Sequence, residues 1–226
     1  MARSASKMPV DRDNRSGKDK SVSRVERKRR DTRQKIVAAA EKLMTENPID
    51  GVTIADITHA ADIGHGSFYL HFKSKNEVLI PIIQHRAQYW DNVLQRNMAV
   101  LDDPAEIIAF SGRHIARVIA DDPLWRWFMQ HSGAPAEVMR EALGRFTSRA
   151  FGNGLLTGRF EIPELSIGSG FLLGGFVNSL LTAFNKDNPG KAIDQVMEMI
   201  LRVLGLPVDE ARLIAHKPLR ELEIKI

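Results

Sequence analysis

In this chain of 226 residues, the side chains best spaced to do chemistry fall in Thr53–Lys75, TIADITHAADIGHGSFYLHFKSK. Ile54, Ile57, Ala61 and Ile63 share one apolar surface, and Phe68 and Phe72, four apart, form a matching one on the next helix. With these turned inward, His65, Gly66, Ser67, Tyr69 and Leu70 face outward. A short helix that presents small, polar and aromatic groups fits a DNA major groove. Gly66 lets the backbone come close, Ser67 can donate or accept at a base edge or phosphate, and Tyr69 can reach a phosphate. Lys75 opens the following helix, where its ammonium and the free N–H groups favour a phosphate oxygen. The bland alternative is a helical hairpin with a solvated face.

Other chemistry finds no support. The chain has no Cys, which excludes disulfides, thiol nucleophiles and thiolate ligands. No G-x-S-x-G, H-E-x-x-H or phosphate loop occurs. Gly168-x-Gly170-x-x-x-Gly174 has the wrong spacing for a dinucleotide fingerprint, and no strand precedes it. The seven His are scattered without ligand spacing. We therefore expect no catalytic residue, no metal and no cofactor. A helical enzyme built on carboxylates would need a polar cluster that the sequence does not display.

The elements that position the Thr53–Lys75 segment read as helices throughout. Ile36, Val37, Ala40, Leu43 and Met44 recur at helical spacing from Thr32 onward. Asn47-Pro48 and Asp50-Gly51 break the chain, and Thr53 with Asp56 three residues on opens a second helix. A short helix follows over His65–Phe72, then a long one over about Lys75–Gln95. Asp102-Asp103-Pro104 and Asp121-Asp122-Pro123 are further helix starts, Pro135, Pro163 and Asn188-Pro189 mark junctions, and Pro207 precedes a last short helix. The fold expected is all-α.

Charge is uneven along the chain. Residues 1–30 hold 11 Lys/Arg against 4 Asp/Glu, net +7, which leaves −3 for the rest. With few large apolar groups, this stretch reads as a disordered basic tail. It serves either a polyanionic partner or solubility alone.

Thr32 to about Leu79 resembles the DNA-binding domain of the TetR family. The resemblance rests on Thr53-Ile54-x-x-Ile57, on Ala61-x-Ile63, and above all on Phe68-Tyr69-x-His71-Phe72-Lys73-x-Lys75 with Glu77-x-Leu79 after it. It implies that Thr53 touches a phosphate, that His65, Gly66, Ser67, Tyr69 and Leu70 face the groove, and that His71 and Lys75 hold the DNA backbone. Three positions depart from the family pattern. Asp62 stands where Gly is usual, Gly64 where a hydroxyl N-cap is usual, and Thr58 where Ala is common. Asp tolerates a left-handed turn, and Gly costs only a few tenths of a kcal/mol as an N-cap.

The resemblance implies a further organisation. Residues 1–30 would be the tail, 31–78 the helix-turn-helix DNA-binding domain, and 79–226 a larger helical ligand-binding and dimerisation domain. The aromatic run Leu124–Met129 suggests an apolar pocket. Candidate pocket residues are Phe110, His114, Trp125, Phe128, Met129, Phe146 and Phe171, with Arg113, His114 or His131 fixing a polar group.

Ser166–Phe184 has no charge and nearly the length of a membrane span. Small and polar residues on one face, bulky ones on the other and no second span favour a packed or dimer-interface helix over a membrane one. Gly170, Gly174, Val177, Asn178 and Leu181 are the interface candidates.

The function expected is a cytoplasmic, non-enzymatic, ligand-responsive regulator, which the resemblance implies to be a repressor. It would bind double-stranded operator DNA as a homodimer and be released by a small, largely apolar inducer. A helical adaptor without operator recognition is the competing reading, and the outward face of His65–Leu70 with Lys75 argues against it.

Overall fold

The computed structural model describes residues 23–131 and 149–224, and every regular element among them is a helix. The first, α1 (Arg24–Glu46), starts earlier than its apolar periodicity predicts. The expected unstructured tail through residue 30 is therefore corrected for its last seven residues. Ser23 and Glu26 supply the reason. The Ser23 hydroxyl accepts from the Glu26 amide at 3.1 Å, and the Glu26 carboxylate accepts from the Ser23 amide at 2.9 Å. This capping box starts a helix in a stretch with no apolar face to signal it. The tail expected over residues 1–22 lies outside the described residues.

Ile36, Ala40 and Met44 bury one side of α1. Against it pack α2 (Ile54–Ala60) and α4 (Lys75–Met98), with α3 (His65–Tyr69) packed on α2, behind a short 3₁₀ turn at Ile49–Gly51. Thr53 caps α2 as its spacing with Asp56 foretold: the Asp56 amide donates to its hydroxyl at 3.1 Å. Asp62 takes a φ of +52° in the α2–α3 turn, the left-handed conformation that a small polar side chain tolerates. No side chain caps α3 at Gly64.

The larger domain adds α5 (Pro104–Asp121), α6 (Pro123–His131), α7 (149–156), α8 (Leu165–Ala183), α9 (Pro189–Val203) and α10 (Val208–Ala215). Two charged knots hold it. Arg113 and Arg117 of α5 both donate to Asp194 of α9 at 2.8 Å. Arg159 takes Asp103 at 2.9 and 2.8 Å and Glu210 at 2.8 Å, joining the starts of α5 and α10. Beyond α10 the chain runs extended across the α4–α5 face. Arg113 donates to the Lys217 carbonyl at 2.7 Å and Arg220 to the Asn97 carbonyl at 2.5 Å, while Asn97 and Glu223 exchange two bonds at 3.2 and 2.9 Å. This strap pins the far end of α4.

Candidate DNA-reading surface and ligand domain

The outward face of α3 is built from the inside. Phe68 is fully buried and Phe72 nearly so, their rings 5.9 Å apart. Burying those two leaves His65, Gly66, Tyr69 and Leu70 exposed and Ser67 and His71 half-buried. Leu70 is 72% exposed and adds an apolar group to this outward face. Tyr69 stands edge-on to both His65 and Phe68, at 5.6 and 5.5 Å, which fixes the direction of its hydroxyl. The face offers donors, acceptors and one apolar side chain on a rigid platform, as groove reading requires.

Two expected phosphate contacts are differently employed. The Lys75 ammonium does not face outward. It donates to the carbonyls of Ile49, Val52 and Asp50 at 2.8, 2.9 and 3.3 Å, gathering the last carbonyls of the 3₁₀ turn. An ammonium has three protons, and all three are taken. Lys75 is thus a brace of the DNA-binding domain. The Thr53 hydroxyl donates to the Asp56 carboxylate at 2.7 Å, so it can meet a phosphate only as a donor released from that bond. This same bond is the main reason the Asp56 carboxyl lies below its ordinary pKa, with the Thr53 amide second. Burial lowers the pKa of His71, and the charges of Arg29 and Arg33 lower it further.

The aromatic cluster divides by face. Trp125, Phe128 and Met129 of α6 point inward and are essentially inaccessible. Trp127 turns the other way, and its Nε1 donates to Asp50 Oδ1 at 3.1 Å in the DNA-binding domain. Asp122 caps α6 by accepting from the Leu124 amide at 2.9 Å, and it pairs with Arg86 of α4, which also holds Glu41 of α1 at 3.0 Å. One short helix therefore lines the interior of one domain and is bonded to the other.

The pocket candidates lie in different surroundings, and Phe171 is not among the interior ones. Phe171 is 65% exposed on α8 and lines no interior, because α8 buries Phe176, Val177 and Leu180 on its opposite side. Phe146 lies outside the described residues. Phe110 and His114 are buried but already engaged: His114 Nε2 donates to the Arg220 carbonyl at 3.0 Å, and the Arg220 guanidinium sits 5.4 Å over the Phe110 ring. Burial pushes the His114 pKa down to about 4, so the ring is neutral. Arg113 is committed to Asp194 and Lys217, and His131 is exposed, stacked on Trp127 at 4.4 Å.

Not anticipated were two buried polar atoms that lack a partner among the described residues, Trp125 Nε1 and Asp91 Oδ1. A buried donor or acceptor left unpaired is costly, and a ligand is one way to satisfy it. Asp91 had a sequence signal: it interrupts the apolar stripe Ile83, Ala87, Leu94, Met98 of α4 at helical spacing.

The expected dimer surface also divides. Gly170 and Asn178 are exposed, Gly174 and Leu181 are half-buried, and Val177 is buried within its own chain, so it has no surface to offer a second copy. A Cβ added at Gly170 or Gly174 would meet nothing within 4 Å. Among the described residues α8 is the one helix long and apolar enough to cross a membrane, and most of it is not buried within the chain.

The family model for tetracyclin repressor-like C-terminal domains matches residues 103–217, and that for bacterial regulatory proteins of the tetR family matches 36–81. The chain belongs to the TetR family. Its DNA-binding and C-terminal helical domains are those of a TetR-family transcriptional regulator. Members of this family are DNA-binding regulators rather than enzymes. The chain is similar to RolR, solved in complex with resorcinol, at 33% identity over 87% of this chain and 99% of that one, with a TM-score of 0.80. It is also similar to the repressor AcnR of Corynebacterium glutamicum, at 24% identity over 73% of this chain and 90% of that one. A helix-turn-helix regulator of Lactococcus lactis matches at 31% identity over 33% of this chain, and the match spans only 38% of that regulator's length.

Proposed function

We propose that this TetR-family regulator is an operator-binding, cytoplasmic repressor that acts as a homodimer. A small, largely apolar inducer carrying at least one hydroxyl releases it. The observation that carries the reading is α6: Trp125 faces the interior with an unpaired Nε1, while Trp127, two residues on, bonds Asp50 beside the DNA-reading surface. A molecule that satisfies Trp125 Nε1 acts on the helix that is bonded to the DNA-binding domain. Only its differential affinity for the two conformations shifts operator occupancy. A hundredfold release corresponds to about 2.7 kcal/mol of coupling.

RolR's complex with resorcinol makes a phenol the first probe. His65, Gly66, Ser67, Tyr69 and Leu70 supply groove contacts. The exposed side of α8, with Ile167, Phe171, Gly170 and Asn178, and the exposed Met199 and Val203 of α9 supply the two-fold contact. That contact, rather than a bilayer, covers the apolar side of α8. The two recognition helices would then sit about one DNA turn apart, ~34–36 Å.

The test is fluorescence anisotropy on a duplex selected from a random pool by the full chain, with and without resorcinol and simple phenols. Release by one of them is expected, and Trp125→Phe, which keeps a ring and loses the donor, weakens that phenol about tenfold. Selection that enriches no sequence would defeat the regulator reading. Undiminished phenol affinity in Trp125→Phe would defeat the role given to Trp125.

A further inference from the structure

The first three turns of α1, residues 24–35, carry seven Lys/Arg against two acids, and the tetR-family DNA-binding match begins only at residue 36. These turns are helical and span about 18 Å. Their register decides where the charge goes. Arg33 lies three residues before Ile36 and seven before Ala40, and Arg29 seven before Ile36. Both fall on the stripe that, further along, buries Ile36, Ala40 and Met44 on the side of α1 that packs against α2 and α4. Outside the domain body that stripe has no core to meet, and both arginines are exposed.

One contact sets the overhang beside the recognition helix. The Arg33 guanidinium sits 4.8 Å over the ring of Phe72, just past the end of α3. Arg29 and Arg33 are also near enough to His71 for their charges to oppose its protonation. Glu26, the acid on the same side, is held in the Ser23 cap. None of the ion pairs among the described residues involves Arg29, Arg30 or Arg33.

We propose that the helical overhang of α1 is a phosphate clamp: Arg29, backed by Arg30 and anchored through Arg33 on Phe72, grips the DNA backbone beside the segment read by α3. The proposal rests on the operator-binding reading above. It adds an ordered, register-set contact where composition alone suggested a flexible arm. A helix lays its guanidinium groups at fixed spacing along the strand, and arginine's fork suits phosphate oxygens. The clamp carries no sequence information of its own and fixes the register in which α3 reads bases.

The experiment measures affinity for the selected duplex and for a random-sequence duplex across a salt series, with the full chain. The variants are Arg29→Gln, Arg29→Lys and Lys42→Gln. Lys42 is an exposed cation on the same helix, about 20 Å further along, so its loss changes net charge equally. Arg29→Gln is expected to flatten the log–log salt slope by about 0.9 on both duplexes, with an unchanged melting curve. Arg29→Lys restores the slope, and Lys42→Gln leaves it unaltered. Equal effects of Arg29→Gln and Lys42→Gln would reduce the clamp to bulk charge and overturn it, as would a slope indifferent to position 29. Failure of the wild type to bind either duplex would overturn the operator-binding reading, and the clamp with it.

Discussion

Trp127 of α6 reaches into the DNA-binding domain and donates its indole N–H to Asp50 at 3.1 Å. Asp50 belongs to the same 3₁₀ turn whose carbonyls Lys75 gathers at the base of α4. The turn is therefore held from two sides, by the ligand domain and by the helix that follows the recognition helix. Replacing Trp127 by Phe keeps the ring and removes the bond, which is worth about 0.5–1.5 kcal/mol. Operator affinity without ligand should stay within a few-fold of wild type, while the release produced by an active phenol shrinks. Anisotropy titrations with and without that phenol read both quantities.

Lys75 should matter to stability more than to DNA. Lys75→Met leaves three carbonyls without their charged donor, and bonds to charged groups are worth about 1.5–3 kcal/mol each at most, less where water replaces them. A loss of about 2 kcal/mol in urea unfolding is expected, with the salt slope for DNA unchanged. A flattened slope at full stability would return Lys75 to the phosphate backbone.

Gly170→Leu separates folding from assembly. Space is open around Gly170 within one chain, so the protomer should fold and melt normally. The same leucine on a surface meeting its symmetry mate overpacks it, which typically costs about 1–3 kcal/mol. Sedimentation should show a dimeric wild type at micromolar concentration and a variant shifted to monomer. Val177→Ala, by contrast, should lower stability, since Val177 is buried within its own chain.

His114 gives the protein an acid-side weakness. Its folded pKa, about 4, lies below the ordinary 6.5 because the ring is buried, so the unfolded chain binds the proton more readily. Stability from this residue is complete above pH 6.5 and falls as pH drops from there toward 4, by about 2 kcal/mol at pH 5. His114→Gln should flatten urea-measured stability between pH 7 and pH 5, whatever its own cost at pH 7.

The helix-turn-helix was legible because two phenylalanines four apart set its inside, and Tyr69 and Leu70 had only the outside left. The expected all-α architecture followed from helical periodicity and Pro-marked starts. Lys75 was misjudged because its partners are backbone carbonyls 23–26 residues earlier, and periodicity says nothing of where a turn aims its carbonyls. Phe171 was misplaced because it and Ile167 flank the small face of α8, so bulk by itself does not mark the interior side. Residues 24–30 were read as tail because a capping box, rather than an apolar stripe, announces that helix.

The exchange of bonds between Asn97 and Glu223 joins residues 126 apart in sequence. A ribosome that has added Asn97 must go on adding residues for about 6–25 s, at ~5–20 per second, before the partner exists. The helices of the DNA-binding domain, complete by then, can fold in far less time. For that interval a nascent chain carries a complete helix-turn-helix on a lever whose far end is still untied. The knot is tied only after α8 and α9 have been made, so the helix that links the two domains is fixed later than the surfaces through which two copies would meet.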